Sequence, residues 1–283
     1  MKFQFHSYWR KAVTLFFAFS FSLGVTATKP VEKDYLHGLN GAHFHEFESQ
    51  VIGRSFGIHV RLPENYEENR LYPTIYLVDG GVLFPMLGAY YRYLNLAGDV
   101  PDMIIVGIAY PGNSFPKGNF RGGDFTAPAD SAAHYGGAEQ FLSFYETELF
   151  PMIESTYQAA PDRRMLFGQS LGGQFSLFAA QTRPELFYGA IASNPALHRN
   201  LSYFIELPEK QTLALNRPRL FVSLAAEDDE RFRIPARRWA EHYANKINAG
   251  FTLKVSTIQD HNHFSATPEA FRNGLKWIFG DAE

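Results

Sequence analysis

Ser170 lies in the stretch RRMLFGQSLGGQFSLFAA (163–180), where Gly168-Gln169-Ser170-Leu171-Gly172 fits the pattern G-x-S-x-G. An apolar, β-rich run precedes it and helix-forming residues follow. That context predicts a strand, a sharp turn and a helix, with glycines at 168 and 172 because a side chain there would clash with neighbouring chain. A serine at such a turn is a candidate nucleophile, but its hydroxyl attacks poorly until a base removes its proton. The chemistry therefore requires a histidine and an orienting carboxylate elsewhere, and the order Ser, acid, His is one of those in which such sets occur.

Both partners are present in that order. RLFVSLAAEDDERF (219–232) closes a predicted strand with Glu227, Asp228 and Asp229, and VSTIQDHNHFSATPEAF (255–271) closes the last strand with His261 and His263. Acids also favour helix N-termini, so one of the three can serve chemistry while the others start a helix. Asp228 is the choice, with Asp229 next. His261-x-His263 and His43-x-His45 are each also half of a conceivable metal site. No H-E-x-x-H or acidic cluster accompanies them, so no metal is expected. Acyl transfer needs donors for a developing oxyanion. The NH of Leu171, at the start of the predicted helix, is one candidate. The NH of Gly81, in IYLVDGGVLF after an earlier strand, is the other.

The elements that must position these groups read as an α/β protein. Apolar runs at HVRL (59–62), TIYLVD (74–79), MIIVGIAY (103–110), RMLFG (164–168), YGAIASN (188–194), RLFVSLAA (219–226) and FTLKVSTI (251–258) predict strands buried on both faces, hence a mostly parallel sheet. Helical spacing fills 136–157 and 231–250, the second closed by Gly250, and Thr267-Pro268 predicts the cap and first turn of a last helix. The Gly-, Pro- and aromatic-rich segment 111–137 predicts a long loop over the carboxyl ends of the strands. Asn194 ends a strand on that same side, where it can face substrate. Lys117, Arg121, Arg199, Arg231 and Arg233 are cations available there for an anionic ligand, though each also reads as a solvated surface charge. His134 reads as a surface residue and Trp239 as core.

Composition narrows the classes. With 46% hydrophobic residues, 27 Phe and 15 Tyr, the chain can fill a large core and still leave aromatic surface for a ligand. There is no cysteine, which excludes disulfides, cysteine catalysis and iron–sulfur ligation. Residues 1–27 combine Lys2, Arg10 and Lys11 with an apolar run from Ala12 to Val25 and small residues before a cut after Ala27. They read as a signal peptide. Export to the periplasm or medium is expected, with no membrane anchor after cleavage. The remainder, 28–283, reads as one domain with 23 basic and 29 acidic groups, a formal charge of −6, which argues against a nucleic-acid partner.

Several stretches in order, YLVDGGVLF, FRGGDFTAP, GGAEQFLSFYETELFPMIESTY, RRMLFGQSLGGQFSLFAA, PELFYGAIASNPAL and DHNHFS, resemble one family. It is the esterase group of the α/β-hydrolases that includes esterase D-like enzymes, the enterochelin and salmochelin esterases and the mycolyltransferases. The resemblance covers most of residues 40–280. It implies the α/β-hydrolase fold, with helices on both faces of the sheet, and a serine carboxylic-ester hydrolase that needs no cofactor. It places Ser170 as nucleophile, His263 rather than His261 as base, and Leu171 and Gly81 as oxyanion donors. The family's acid is Glu or Asp, and some siderophore esterases work with a Ser–His dyad. Relatives tend to have glycine where this chain has Ala225. The implied partner is a small ester, siderophore-type polyesters included. Acyl transfer to an alcohol and a non-catalytic binding protein on the same scaffold are the alternatives.

Overall fold

Eight strands form one sheet: β1 Ala42–Ser49, β2 Arg54–Arg61, β3 Tyr72–Leu77, β4 Ile104–Ala109, β5 Ala159–Gln169, β6 Gly189–Ser193, β7 Arg219–Ala225 and β8 Thr252–Ile258. The computed structural model describes residues 37–39, 41–208, 217–244, 246 and 250–280. The proposed signal segment lies outside them. The strand order is β1-β2-β4-β3-β5-β6-β7-β8. β2 pairs antiparallel with both β1 and β4, and every pair from β4 to β8 is parallel. Each of the seven apolar runs falls in or overlaps a strand. β1 was not among them. Its residues AHFHEFES are mostly exposed or half-buried, as an edge strand's are, so no apolar run marks it.

The helices are α1 Gly80–Leu96, α2 Arg121–Asp124, α3 Ala138–Phe144, α4 Phe150–Thr156, α5 Leu171–Thr182, α6 Leu201–Glu206, α7 Glu230–Ala244 and α8 Thr267–Phe279. Side chains alternate across each strand, so β3 sends Ile75 and Leu77 to one face and Tyr72 and Tyr76 to the other. α1 and α8 cover the first face through Leu83, Leu87, Phe271 and Leu275, and α3 to α7 cover the second through Phe141, Phe150, Phe175, Phe204 and Trp239. Many of the aromatic residues pack here. Phe56, Phe141, Phe144, Tyr145, Phe150 and Phe175 are all buried, with neighbouring rings at 5.0–5.9 Å in tilted, stacked and edge-on contacts. Trp239 is core, as read.

Two boundaries differ from the sequence expectation. The helix expected over 136–157 is interrupted by a π turn at Tyr145–Leu149 between α3 and α4. α7 is described to Ala244, and residues 245 and 247–249, which separate it from Gly250 at φ 75°, lie outside the described residues, as does the closure of the helix expected there. Ala266 takes the cap of α8, while the Thr267 hydroxyl donates back to the Phe264 carbonyl at 2.9 Å. Among the described residues no helix is long and apolar enough to cross a membrane.

Candidate active site

The turn between β5 and α5 is built as the glycine spacing requires. Ser170 sits at φ 60° and ψ −114°, a conformation costing about 1–3 kcal/mol in a non-glycine residue. Backbone bonds offset that cost. Ser170 NH donates to the Ser193 carbonyl at 2.9 Å, and its own carbonyl accepts from Gln174 at 2.9 Å and Ala196 at 3.0 Å. A Cβ on Gly168 would lie 2.0 Å from the Gly172 carbonyl oxygen, and one on Gly172 would lie 2.6 Å from Val78 Cγ2. A side chain at Gly168 would open the turn, and one at Gly172 would have to displace the buried Val78 side chain.

The loop after β8 brings His263 to this turn. Ser170 Oγ lies 2.9 Å from His263 Nε2, and His263 Nδ1 lies 2.8 Å from Asp228 Oδ2. A carboxylate only accepts, so Nδ1 carries the proton and Nε2 is left to accept from the serine hydroxyl. His263 and Asp228 are both buried. The three neighbouring acids separate by task. Asp229 Oδ1 accepts from the Arg231 NH at 2.8 Å and so caps α7, while Glu227 is exposed and its NH bonds the His261 carbonyl at 2.9 Å. His261 is half-buried, with Nδ1 2.7 Å from the Gln259 carbonyl.

Two residues that sequence reasoning did not assign to this task brace His263. Asn194, at φ 42° and buried, donates from Nδ2 to the His263 carbonyl at 3.2 Å and accepts from the Ala225 NH at 2.7 Å. It does not face substrate, as its strand-end position suggested. It ties β7, which precedes Asp228, to the loop that carries His263. Gln169 Nε2 donates to the same His263 carbonyl. Only their placement beside the elbow and at a strand end signalled them.

Leu171 and Gly81 stand at the N-termini of α5 and α1. Gly81 and Ser170 both line a cleft of about 650 Å³, together with Asp79, Val82, Tyr110, Arg121 and Phe264. Gly81 is exposed, and a Cβ there would be 3.7 Å from Ala109 Cβ, an ordinary contact. It is Gly80 whose Cβ would strike the backbone, 2.4 Å from Gly107 C and Ile108 N. The loop expected over 111–137 supplies one cleft wall and contains α2. Arg121 grips Asp79 with two bonds of 2.7 Å. Asp124 accepts from Arg54 at 2.7 Å and from Tyr110 at 2.8 Å. Burial, reinforced by Asp124, pushes the Tyr110 phenol well above its ordinary range, so it remains a donor. His134 is exposed at a side cavity of about 510 Å³.

The cations named from sequence have other partners here. Arg121 is paired to Asp79, Arg231 lies over the Phe232 ring at 4.5 Å, Arg233 bonds the Ala226 carbonyl at 3.1 Å and Arg199 the Ser131 carbonyl at 3.4 Å. Lys117 is exposed in the loop. The two H-x-H pairs do not meet. His43 and His45 lie on edge strand β1 and share the Tyr157 hydroxyl, at 3.0 and 2.7 Å, whereas His261 and His263 follow β8 at the opposite edge.

Residues 49–251 match the family model described as "Putative esterase". The chain belongs to this esterase family. The esterase is 27% identical over 261 residues to the ferri-bacillibactin esterase BesA of Bacillus subtilis, covering 84% of this chain and 89% of that one. It is 34% identical over 156 residues to the siderophore triacetylfusarinine C esterase of Aspergillus fumigatus, covering 52% and 53%. The crystal structure of BES protein from Bacillus cereus superposes with a TM-score of 0.73 over 84% of this chain and 95% of that one, at 24% identity. The esterase has the α/β-hydrolase fold, a mostly parallel sheet with helices on both faces.

Proposed function

We propose that the protein is an exported serine esterase that hydrolyses small carboxylic esters through an acyl-enzyme, siderophore-type esters among them. Ser170 is the nucleophile, His263 the base and Asp228 the orienting acid. The observation that carries this reading is the contact chain from Ser170 Oγ to His263 Nε2 and from Nδ1 to Asp228 Oδ2, at 2.9 and 2.8 Å, on one side of an open cleft.

In the first step Ser170 Oγ bonds to the ester carbonyl carbon while its proton passes to His263 Nε2, and Asp228 stabilises the imidazolium. The carbonyl oxygen becomes an oxyanion held by the NH groups of Leu171 and Gly81, each at a helix N-terminus where the dipole favours negative charge. The bond to the alcohol oxygen then breaks, and Nε2 returns its proton to that oxygen. Water repeats the attack on the acyl carbon, gives its proton to Nε2, and the acid leaves as Ser170 Oγ regains a proton. No step draws on a cofactor.

The siderophore-type substrate is supported by the named activities of the two relatives and by a cleft mouth whose Phe264 and Val82 are strongly exposed. Export is supported by the composition of residues 1–27. A fluorophosphonate probe tests the chemistry. The expected result is one adduct, mapped to Ser170, absent in Ser170→Ala and slowed in His263→Ala; a folded wild type that takes no adduct would overturn the reading. A panel of simple esters and ester siderophores then reads substrate class.

A further inference from the structure

The hydrogen bonds of His263 fix its ring along one direction. Nδ1 faces Asp228 and Nε2 faces Ser170, and a ring held at those two points can still rock about the line joining them. Phe232, in the first turn of α7 four residues after Asp228, lies against its face, with ring centroids 4.5 Å apart and planes inclined by 26°. The bond from Phe232 NH to the Asp229 carbonyl, 2.9 Å, sets that turn in place beside the acid. The same phenyl ring meets His198 edge-on at 5.0 Å and carries the Arg231 guanidinium 4.5 Å from its centroid.

A stacked phenyl does more than fill space beside a base. Against neutral imidazole the contact is mainly dispersion, whereas an imidazolium is attracted electrostatically by the negative face of the ring. The contact therefore strengthens as the serine proton arrives on Nε2, which is the condition for an interaction to favour the transition state over the ground state. We propose that Phe232 is a positioning residue that holds the His263 ring against rocking and stabilises the positive charge formed on it during acyl transfer. The inference rests on the assignment of Ser170 and His263 as nucleophile and base.

The groups facing His263 from each neighbouring element are few. Asp228 comes from the acid loop, Ser170 from the elbow, Phe264 from His263's own loop with its ring edge-on at 5.2 Å, His198 from the segment after β6, and Phe232 from α7, with Arg231 over the Phe232 ring. Asp228 favours positive charge on the ring and Arg231 opposes it. Burial, then Arg199, Arg231 and His263, hold His198 below its ordinary pKa, so it leans toward the neutral form. Arg231 is exposed, so its opposition is screened by salt.

The test compares Phe232→Leu, Phe232→Tyr and Arg231→Met with wild type. The rate of fluorophosphonate labelling at Ser170 and kcat/KM for p-nitrophenyl acetate are measured against pH, at low and high salt, with thermal midpoints alongside. Phe232→Leu is expected to slow both about 3- to 10-fold and to move the acidic limb down by about 0.5 pH unit. Phe232→Tyr, which keeps an aromatic face, restores rate and limb. Arg231→Met moves the limb up by about 0.2 unit at low salt and leaves it in place at high salt. The proposal is overturned if Phe232→Leu keeps the wild-type limb, even with a slower rate, or if Phe232→Tyr falls as far as Phe232→Leu. A wild type that does not label at Ser170 removes the nucleophile assignment and this inference with it. A labelling wild type with an unaltered Phe232→Leu profile removes only the role of Phe232.

Discussion

Two strand-to-helix turns stand side by side in this esterase, β3 to α1 through Asp79 and β5 to α5 through Ser170. Both apex residues have positive φ, 56° and 60°, and each is followed within two residues by a glycine at which a Cβ would clash, Gly80 and Gly172. β3 and β5 are parallel neighbours, so the two helix N-termini emerge at the same end of the sheet. The turns even touch, since the Gly172 Cβ position abuts Val78 and lies 3.7 Å from Asp79 Oδ2. What differs is the side chain at the apex and its partner. The Asp79 carboxylate is held by two guanidinium bonds, whereas the Ser170 hydroxyl meets an imidazole that can take and return a proton. The two backbones share a positive φ but not a conformation, since Asp79 is left-handed helical at ψ 36° and Ser170 is strained at ψ −114°; in the proposed reading the apex side chain and its partner separate a wall from a reactive centre.

The strongest challenge to that comparison is removal of the reactive apex. Ser170→Ala is expected to lower kcat by about 10⁴-fold or more, read on an activated ester, with the thermal midpoint unchanged. Asp228→Asn should lower kcat by roughly 10²- to 10⁴-fold by disturbing the tautomer of His263. Asp229→Asn, one residue on, should leave kcat nearly intact and cost at most about 1 kcal/mol through the cap of α7, read by urea unfolding. Equal losses in the two acid variants would undo the assignment of roles.

The glycines sharpen the other turn. Gly80→Ala forces a methyl against backbone 2.4 Å away and should destabilise by about 3 kcal/mol or more. Gly81→Ala meets only an ordinary contact at 3.7 Å and should stay within about 0.5 kcal/mol of wild type, with any loss confined to kcat/KM. Calorimetry of the pair separates packing from exposure to the cleft.

The smallest effect lies just beyond the C-terminus of α1. Lys276 and Arg272 of α8 hydrogen-bond Asp99 and hold its carboxyl below the ordinary value of 3.8. Because the folded pKa is the lower one, this stabilisation is present above pH 3.8 and is lost as pH falls through the folded value. Asp99→Asn should therefore narrow the difference between thermal midpoints at pH 7 and pH 3, and do so less at high salt.

Much of this architecture was legible because the signals are local. A buried strand is a run of apolar residues, and the seven runs correspond to β2 through β8, although β8 is an edge strand, mostly exposed or half-buried, and not buried on both faces as expected. An elbow needs glycines on either side of the serine whatever surrounds it, so G-x-S-x-G between a strand and a helix carries its own steric reason. The order Ser, acid, His could be read along the chain for the same cause, since strand ends are local features. β1 escaped because an exposed edge strand need not be apolar, and the antiparallel setting of β2 escaped because an apolar run has no direction.

Tertiary structure decided what depends on orientation. Glu227, Asp228 and Asp229 are adjacent on one turn and point to three different surroundings. The one that meets His263, 35 residues later, is selected by the pairing of β7 with β8 and by the bond from Glu227 NH to the His261 carbonyl. The same holds for Asn194, turned inward to brace the His263 loop, and for Gly80, whose need for a bare backbone comes from β4 lying against it. Residue type and spacing along the chain determined which groups this esterase has for chemistry. Their directions were set by neighbours distant in sequence, because a side chain's aim is a property of the packed turn and not of the residue.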